Sequence, residues 1–251
     1  MTALAYFDAA DALLKKIRDT QSAAIEEAAV VMADSVGRGG LVNLFGSGHS
    51  VLPVMDVFPR YGSYPAFRPL VDSRLSWFNV LGSGGVSELL WLERTEGYIR
   101  NFLQNYPLRP EDTMVVYSHG GLNAAGVETA LYAKERGLKV VAITSVANLE
   151  ANPATHSSGK RLAELADVVI DNCVAPEDVL VRVDGWAVPV AAGSTLAVIA
   201  ITMAITAELA HQLAVRGIQL PVFVSPNNTA VPPDNNKQVF AAYARATQRE
   251  P

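Results

Sequence analysis

The chain has 251 residues, of which 50% are hydrophobic and 18% are charged, and its formal net charge is −5. This composition is typical of a folded soluble protein with a sizeable core, and the lack of a basic run in the sequence argues against a nucleic-acid partner. Cys173 is the only cysteine, which excludes an intrachain disulfide and favours a reducing, cytoplasmic compartment.

A long amphipathic helix is predicted first. Apolar residues recur at steps of three, four or seven from Leu4 to Met32, and glycines at positions 37, 39 and 40 end the pattern. Charged residues within the pattern argue against a signal peptide and against a membrane span. We predict a helix over residues 3–36 that lies outside the sheet or against a second subunit.

Strands and helices alternate after this helix. Short apolar runs predict buried strands at residues 41–45, 114–117, 139–143 and 168–170. The first two runs are each followed by a polar glycine turn and a helix, the second of which runs over residues 124–136 and ends at Gly137. This alternation predicts an α/β protein, a three-layer α/β/α sandwich of flavodoxin-like type with a mainly parallel sheet. Since no linker or repeat divides the sequence, we predict a single domain over residues 1–251, with its core at about 41–224.

The segments between these runs are less regular. Residues 59–83 are rich in proline and glycine, which predicts a loop with at most a short strand near residues 66–67. Helical periodicity returns at Val86 and continues to about Tyr106, where prolines end it.

The last third of the chain contains its longest apolar stretch, at residues 187–209. Glycine, proline and hydroxyl residues interrupt this stretch, so we predict a buried core helix and no membrane association. Residues 221–224 are predicted as a late strand or extended segment, and residues 234–248 as a final helix.

The first strand is followed by the sequence Gly-Ser-Gly-His-Ser at residues 46–50. Its glycines allow close approach of the backbone, its hydroxyls donate hydrogen bonds, and the amino end of the next helix favours an anion. The spacing fits neither a dinucleotide-binding nor an NTP-binding glycine motif. The loop is therefore predicted to hold a single phosphate.

Two more polar loops follow neighbouring strands in the sequence. Ser118 to Asn123 contributes a hydroxyl and two glycines, and Thr144 with Ser145 contributes further hydroxyls. Ligands of parallel α/β sheets bind at the carboxyl ends of the strands. We therefore expect these loops to converge on one ligand.

The loops resemble those of the SIS (sugar isomerase) domains of phosphosugar isomerases and phosphosugar-binding proteins, which read roughly GxGxS and SxSGxT followed by Glu. The likeness rests on residues 45–50, 92–97 and 156–162 and on the spacing from Ser118 to Glu128, and it runs from about residue 41 to 224. It is closest to a bacterial branch similar to phosphoheptose isomerase. The resemblance implies a phosphorylated sugar as ligand and pairing into homodimers or homotetramers.

The residues predicted to contact the ligand come from the three loops and from a further polar loop at residues 148–162, a length that often signals function. In that further loop, His156 and Lys160 are predicted to form a polar lid over the anion. The resemblance implies phosphate contacts from Ser47, Ser50 and Ser118, and Asn123 replaces the usual threonine. The complete predicted set is Gly46, Ser47, Gly48, Ser50, Ser118, Gly120, Gly121, Asn123, Thr144, Ser145, His156 and Lys160.

Catalytic residues are harder to assign, because phosphoheptose isomerases use a glutamate after the first loop and a histidine on a late helix. Here Asp56 occupies the first region, and His211, which we interpret as structural, is the first histidine of the late helix. The predicted candidates for acid–base catalysis are Asp56, Glu93, His49 and His119. Glu93 and Glu96, three residues apart, are expected to share a helix face. The histidines lack the spacing of a zinc site, so neither a metal nor an organic cofactor is expected.

Three hypotheses follow for the function. The first is an aldose/ketose isomerase of a sugar phosphate, in which a carboxylate or histidine transfers a proton through an enediol. The second is a non-catalytic phosphosugar-binding or regulatory module. The third is a lyase or deaminase that acts on an amino-sugar phosphate.

Overall fold

The computed structural model of the protein describes residues 1–248. Within these residues one parallel sheet has the strand order β2-β1-β3-β4-β5. The strands are β1 Val42–Gly46, β2 Phe67–Leu70, β3 Thr113–Tyr117, β4 Lys139–Thr144 and β5 Val168–Asp171. The helices are α1 Thr2–Gly37, α2 Val51–Val57, α3 Val86–Leu92, α4 Tyr98–Leu103, α5 Ala124–Glu135, α6 Val146–Ala151, α7 Leu162–Leu165, α8 Ser194–Val215 and α9 Asn235–Thr247. The long first helix and the parallel α/β sheet confirm the predicted fold class.

Helices cover both faces of the sheet. Successive residues of a strand point to opposite faces, so Val115 joins a core cluster with α1, α2, α8 and α9, whereas Val116 joins one with α4, α5 and α7. All five residues of β3 are buried. Burial on both faces explains why this strand is a continuous apolar run in the sequence.

The single helix predicted from Val86 to about Tyr106 is wrong, because α3 ends at Leu92 and α4 begins at Tyr98. Gly97 lies between them with φ +85°, a conformation that glycine adopts without a clash of a Cβ atom. Its N–H donates to both carboxylate oxygens of Glu128, at 2.8 and 3.0 Å. A glycine turn supported by a distant side chain thus divides the helical pattern.

The longest apolar stretch forms α8, which begins later than predicted because residues 187–193 are not helical. By length and composition α8 is apolar enough to cross a membrane. Here one face of α8 packs with α1 in the core, through residues such as Ala197 and Ile201. The prediction of a core helix is confirmed, and its start is corrected.

Two segments are predicted as a short strand or an extended segment, and they differ in the fold. The short strand expected near residues 66–67 is β2, an edge strand in which Pro69 is tolerated. Residues 221–224 form no strand. Phe223 instead exchanges backbone hydrogen bonds with the loop before β2, donating to Ser63 O at 2.7 Å and accepting from Gly62 N at 2.8 Å.

Candidate functional site

A pocket of about 180 Å³ lies at the carboxyl edge of the sheet. Because β1 and β3 are hydrogen-bonded neighbours, the loops that follow them lie side by side there. The pocket is lined by Ser47, Gly48, His49, Ser50, Trp77, Leu89, Leu90, Glu93, Ser118, His119, Gly120 and Asn123. Most of the side chains predicted from the first two loops therefore converge as expected.

The first loop turns sharply from β1 into a short 3₁₀ helix at Gly48–Ser50. A Cβ atom on Gly46 would lie 2.1 Å from the carbonyl oxygen of Ser50, so glycine is required there by close approach of the backbone. Gly48 has φ +59°, and Ser50 is buried beneath the turn. Gly46 therefore shapes the pocket without lining it.

The second loop is held by its own hydroxyl. Ser118 Oγ accepts a hydrogen bond from Gly121 N at 3.1 Å. A hydroxyl that accepts in this way keeps its own hydrogen for another acceptor. Ser118 is therefore suited to donate to an anion in the pocket, whereas Gly121 serves as its support.

Glu93, at the end of α3, places a buried carboxylate in the pocket wall. Its Oε2 accepts from Ser47 Oγ and its Oε1 from Asn123 Nδ2, both at 2.9 Å. Burial raises the pKa of Glu93, while the hydrogen bond from Ser47 and the charge of Arg94 lower it by less. Because the Ser47 hydrogen is used on Glu93, Ser47 orients this carboxylate.

His49 is held from behind by a chain of hydrogen bonds. Ser194 Oγ donates to Asp178 Oδ2 at 2.6 Å and lies 3.2 Å from His49 Nε2. Since a hydroxyl has one hydrogen, Ser194 must accept from His49, which puts the ring proton on Nε2. Burial lowers the pKa of His49, Asp178 opposes this, and His119 adds to it. The ring is therefore set as a neutral imidazole with Nδ1 unprotonated.

His119 also lines the pocket, but both of its ring nitrogens are engaged. Asn172 Oδ1 accepts from Val174 N at 3.0 Å, so its amide nitrogen is the atom that lies 3.1 Å from His119 Nδ1. His119 Nε2 then carries the proton and points at Pro176 O, 3.4 Å away. This histidine is better suited to anchor the second loop than to move protons.

Other predicted residues lie outside this pocket. Asp56 is on α2, where it pairs with Arg60. Thr144 and Ser145 are buried behind the second loop, where Thr144 Oγ1 donates to His119 O at 3.3 Å and Ser145 Oγ to Val174 O at 2.6 Å.

The loop predicted as a lid at residues 148–162 contacts the second loop, where Leu162 N donates to Gly121 O at 2.9 Å, but neither predicted lid residue lines the first pocket. Its first part is helical, as α6. His156 lines a separate pocket next to the first, and Lys160 is exposed. His211, predicted as structural, lies exposed on α8.

Sequence reasoning missed several residues of the site. Trp77, Leu89 and Leu90 form its apolar wall, and Asp178 and Ser194 stand behind His49. Ser194 follows a glycine within the apolar stretch, a pair that signals the beginning of a helix. Nothing in that signal points to a histidine 145 residues earlier in the chain.

The chain is similar in sequence to known proteins. A family model described as a SIS domain matches residues 5–145. The chain is 36% identical over 222 residues to a UPF0309 protein of Streptomyces coelicolor, covering 88% of this chain and 87% of that protein.

Solved structures show the same fold. Phosphoheptose isomerases from Francisella tularensis and Neisseria gonorrhoeae both give a TM-score of 0.54 at 16% identity. The likeness covers 83% of this chain and 98% of the former, and 84% of this chain and 97% of the latter. With the family match over more than half of its length, the chain belongs to the SIS domain family.

Proposed function

We propose that the chain binds a phosphorylated sugar in the pocket between the first two loops and isomerises it between aldose and ketose. The observation that carries this proposal is the buried Glu93 carboxylate, which Ser47 and Asn123 hold at the wall of a glycine- and serine-lined pocket. A phosphate grip and a titratable group in one pocket are the two parts that such a reaction needs.

The phosphate grip consists of neutral donors. Ser118 has a hydrogen to donate, Ser50 lines the same pocket, and backbone of Gly48 and Gly120 borders it. Asn123 is the residue before α5, a helix of 12 residues whose amino end favours an anion. A dianion held here would raise the pKa of the nearby Glu93 carboxylate further, which strengthens it as a base.

Glu93 and His49 form the acid–base pair of this proposal. Burial raises the pKa of the carboxyl towards neutral pH, where proton transfer is most efficient. Burial lowers the pKa of the imidazole, which keeps His49 neutral with Nδ1 free to accept a proton. Glu93 takes the proton from the carbon next to the carbonyl and returns it to the neighbouring carbon. His49 Nδ1 takes the proton of the hydroxyl on the carbon that Glu93 deprotonates and passes it to the former carbonyl oxygen, so the enediol forms and collapses with no net gain or loss of protons.

Binding is tested by thermal stabilisation with a panel of sugar phosphates, using Ser50→Ala and Ser118→Ala as variants. The wild type is expected to gain several degrees with at least one member, and each variant to lose most of that gain. Ser225→Ala, on a partly exposed surface segment far along the chain, is the matched control. No stabilisation by any sugar phosphate would refute the proposal.

Turnover is tested separately, because the displacement of Asp56 from the pocket favours a second candidate, a phosphosugar-binding module without catalysis. An isomerase exchanges the hydrogen next to the carbonyl with deuterium from the solvent, whereas a binding module does not. Glu93→Gln should abolish exchange while the ligand still binds. Release of ammonia or of an eliminated group from an amino-sugar phosphate would instead identify a lyase or deaminase.

A further inference from the structure

A second polar pocket, of about 230 Å³, adjoins the first. It is lined by Arg94, Glu96, Asn123, Ala124, Thr155 and His156. Asn123 lines both pockets, so a ligand that fills both passes its carboxamide. The second pocket therefore extends the first in a direction that the phosphate grip does not use.

His156, which lines this pocket, carries a buried donor without a partner. Its side chain is only 6% exposed. Nδ1 accepts from Ser158 N at 3.1 Å and lies 2.8 Å from Ser158 Oγ, so the ring proton is on Nε2. Among residues 1–248, Nε2 has no hydrogen-bond partner. A buried donor without a partner is costly, which indicates that something else satisfies it.

The charges around this nitrogen select the partner. The nearest carboxylate oxygens, on Glu96 and Glu128, are each 3.7 Å from Nε2, which is too far for a hydrogen bond. Two carboxylates against the one cation of Arg94 disfavour a phosphate here. An ammonium group has no lone pair to accept from Nε2–H. A hydroxyl fits, because it accepts from His156 and donates to a carboxylate.

We propose that this second pocket binds a hydroxyl of the sugar chain whose phosphate lies between the first two loops, with His156 as the specificity-determining donor. The inference rests on the proposed function and deepens it, because it names the ligand as a polyhydroxylated chain long enough to pass Asn123. It also gives His156 a role different from contact with the anion.

The test measures affinity for alditol phosphates of increasing length, which have no carbonyl and so bind without turnover. The probes are inorganic phosphate, glycerol 3-phosphate, ribitol 5-phosphate and glucitol 6-phosphate, titrated by calorimetry. The wild type is expected to bind the longer alditol phosphates more tightly than glycerol 3-phosphate. Loss of the hydrogen bond from His156 to the hydroxyl should lower the affinity for the longer probes about tenfold.

Two variants separate this role from a structural one. His156→Asn keeps an acceptor near Ser158 N but removes the donor at Nε2, whereas His156→Gln extends an amide to about the Nε2 position. His156→Asn should weaken only the longer probes, and His156→Gln should restore part of their affinity.

Either of two results would overturn the inference: an equal loss for all four probes, or no loss for any. In both cases, binding of the probes by the wild type would still support the proposed phosphate site. If the wild type binds none of the probes, the proposed function fails and this inference fails with it.

Discussion

The carboxylate of Glu93 illustrates, at the scale of single residues, how a binding site costs stability. It is buried with two hydrogen-bond donors and a partly exposed Arg94 as its neighbours. Burial raises its pKa above the unfolded value. Between the two pKa values the folded state holds a proton that the unfolded chain has lost, so stability falls as pH rises through that window.

We therefore expect Glu93→Gln to be more stable than the wild type at neutral pH, by about 1 kcal/mol, or roughly 2–4 °C in Tm. The difference should shrink as pH falls through the window towards about 4, near the unfolded pKa. Differential scanning calorimetry across pH measures it. Glu111→Gln, in a partly exposed turn, is the control. A variant that is less stable at pH 7, or a gain independent of pH, would contradict this account.

His49 offers a test that needs no substrate. The negative charge of Asp178 raises the pKa of His49 against the larger effect of burial. Asp178→Asn should therefore lower that pKa further, whereas Asp184→Asn, an exposed acid on the following loop, should leave it unchanged. Nitrogen-detected NMR of the ring should show the Nε2–H tautomer in the wild type and its loss in Ser194→Ala. An upward shift in Asp178→Asn would contradict the hydrogen-bond chain.

A site residue can be predicted from the sequence when the residues next to it in the chain determine its position. Ser50 and Ser118 follow buried strands, and this position alone locates them at the pocket. Asp56 is predicted because the family resemblance implies an acidic residue on the helix after the first loop, but in the structure it pairs with Arg60. Asp178 and Ser194 act through a contact with His49 that depends on tertiary packing, and no local pattern carries that information.

At the scale of elements, the turn from β1 into the 3₁₀ helix positions the whole first loop. Gly46→Ala would put a Cβ atom 2.1 Å from Ser50 O, a backbone atom that can move only with the loop. We expect a loss of about 2–4 kcal/mol in unfolding free energy together with loss of phosphate binding. Urea denaturation measures the first and calorimetric titration the second.

Gly62→Ala is the matched control for this variant. Gly62 has φ +88° with nothing within 4 Å of an added Cβ, so it should lose about 1 kcal/mol from backbone strain alone and keep phosphate binding. If the Gly46 variant were as mildly affected as this control, the close approach at Ser50 would not shape the loop.

The strands and the flanking helices are predictable because their apolar periods are set by burial, as β3 and α1 illustrate. The positions at which the helices begin or break are harder to predict from the sequence. The break at Gly97 is compatible with a continuing helix in sequence, and it occurs because Glu128 satisfies the freed backbone N–H. The start of α8 moves to Ser194 because Val181 and Val190 pair in a short antiparallel bridge before it. The first contact joins residues 31 apart in the sequence, and the second closes a loop directly before the helix, so the apolar period predicts neither.

At the scale of the whole molecule, apolar surface remains exposed at the start of the long first helix. Leu4 and Phe7 are three residues apart, and so neighbours on one face of α1, and are 52% and 63% exposed. Apolar residues grouped on a soluble surface often mark an interface with another protein. We propose that a second copy of the chain covers them, as the resemblance implies, and that the protein is a homodimer or homotetramer.

Light scattering after size exclusion should then give a mass at least twice the 26.8 kDa of one chain. Phe7→Ser should weaken the association more than tenfold, because it replaces an aromatic side chain that is buried between the copies with a small polar one. Leu81→Ser removes an apolar side chain that is 85% exposed elsewhere, and it should have no effect. A monomer at all concentrations would refute the proposal.

Association can also be linked to ligand binding. If the interface supports the pocket, dilution below the dissociation constant of the dimer should weaken phosphate binding as the dimer is lost. The reason is that association stabilises the binding-competent state by mass action.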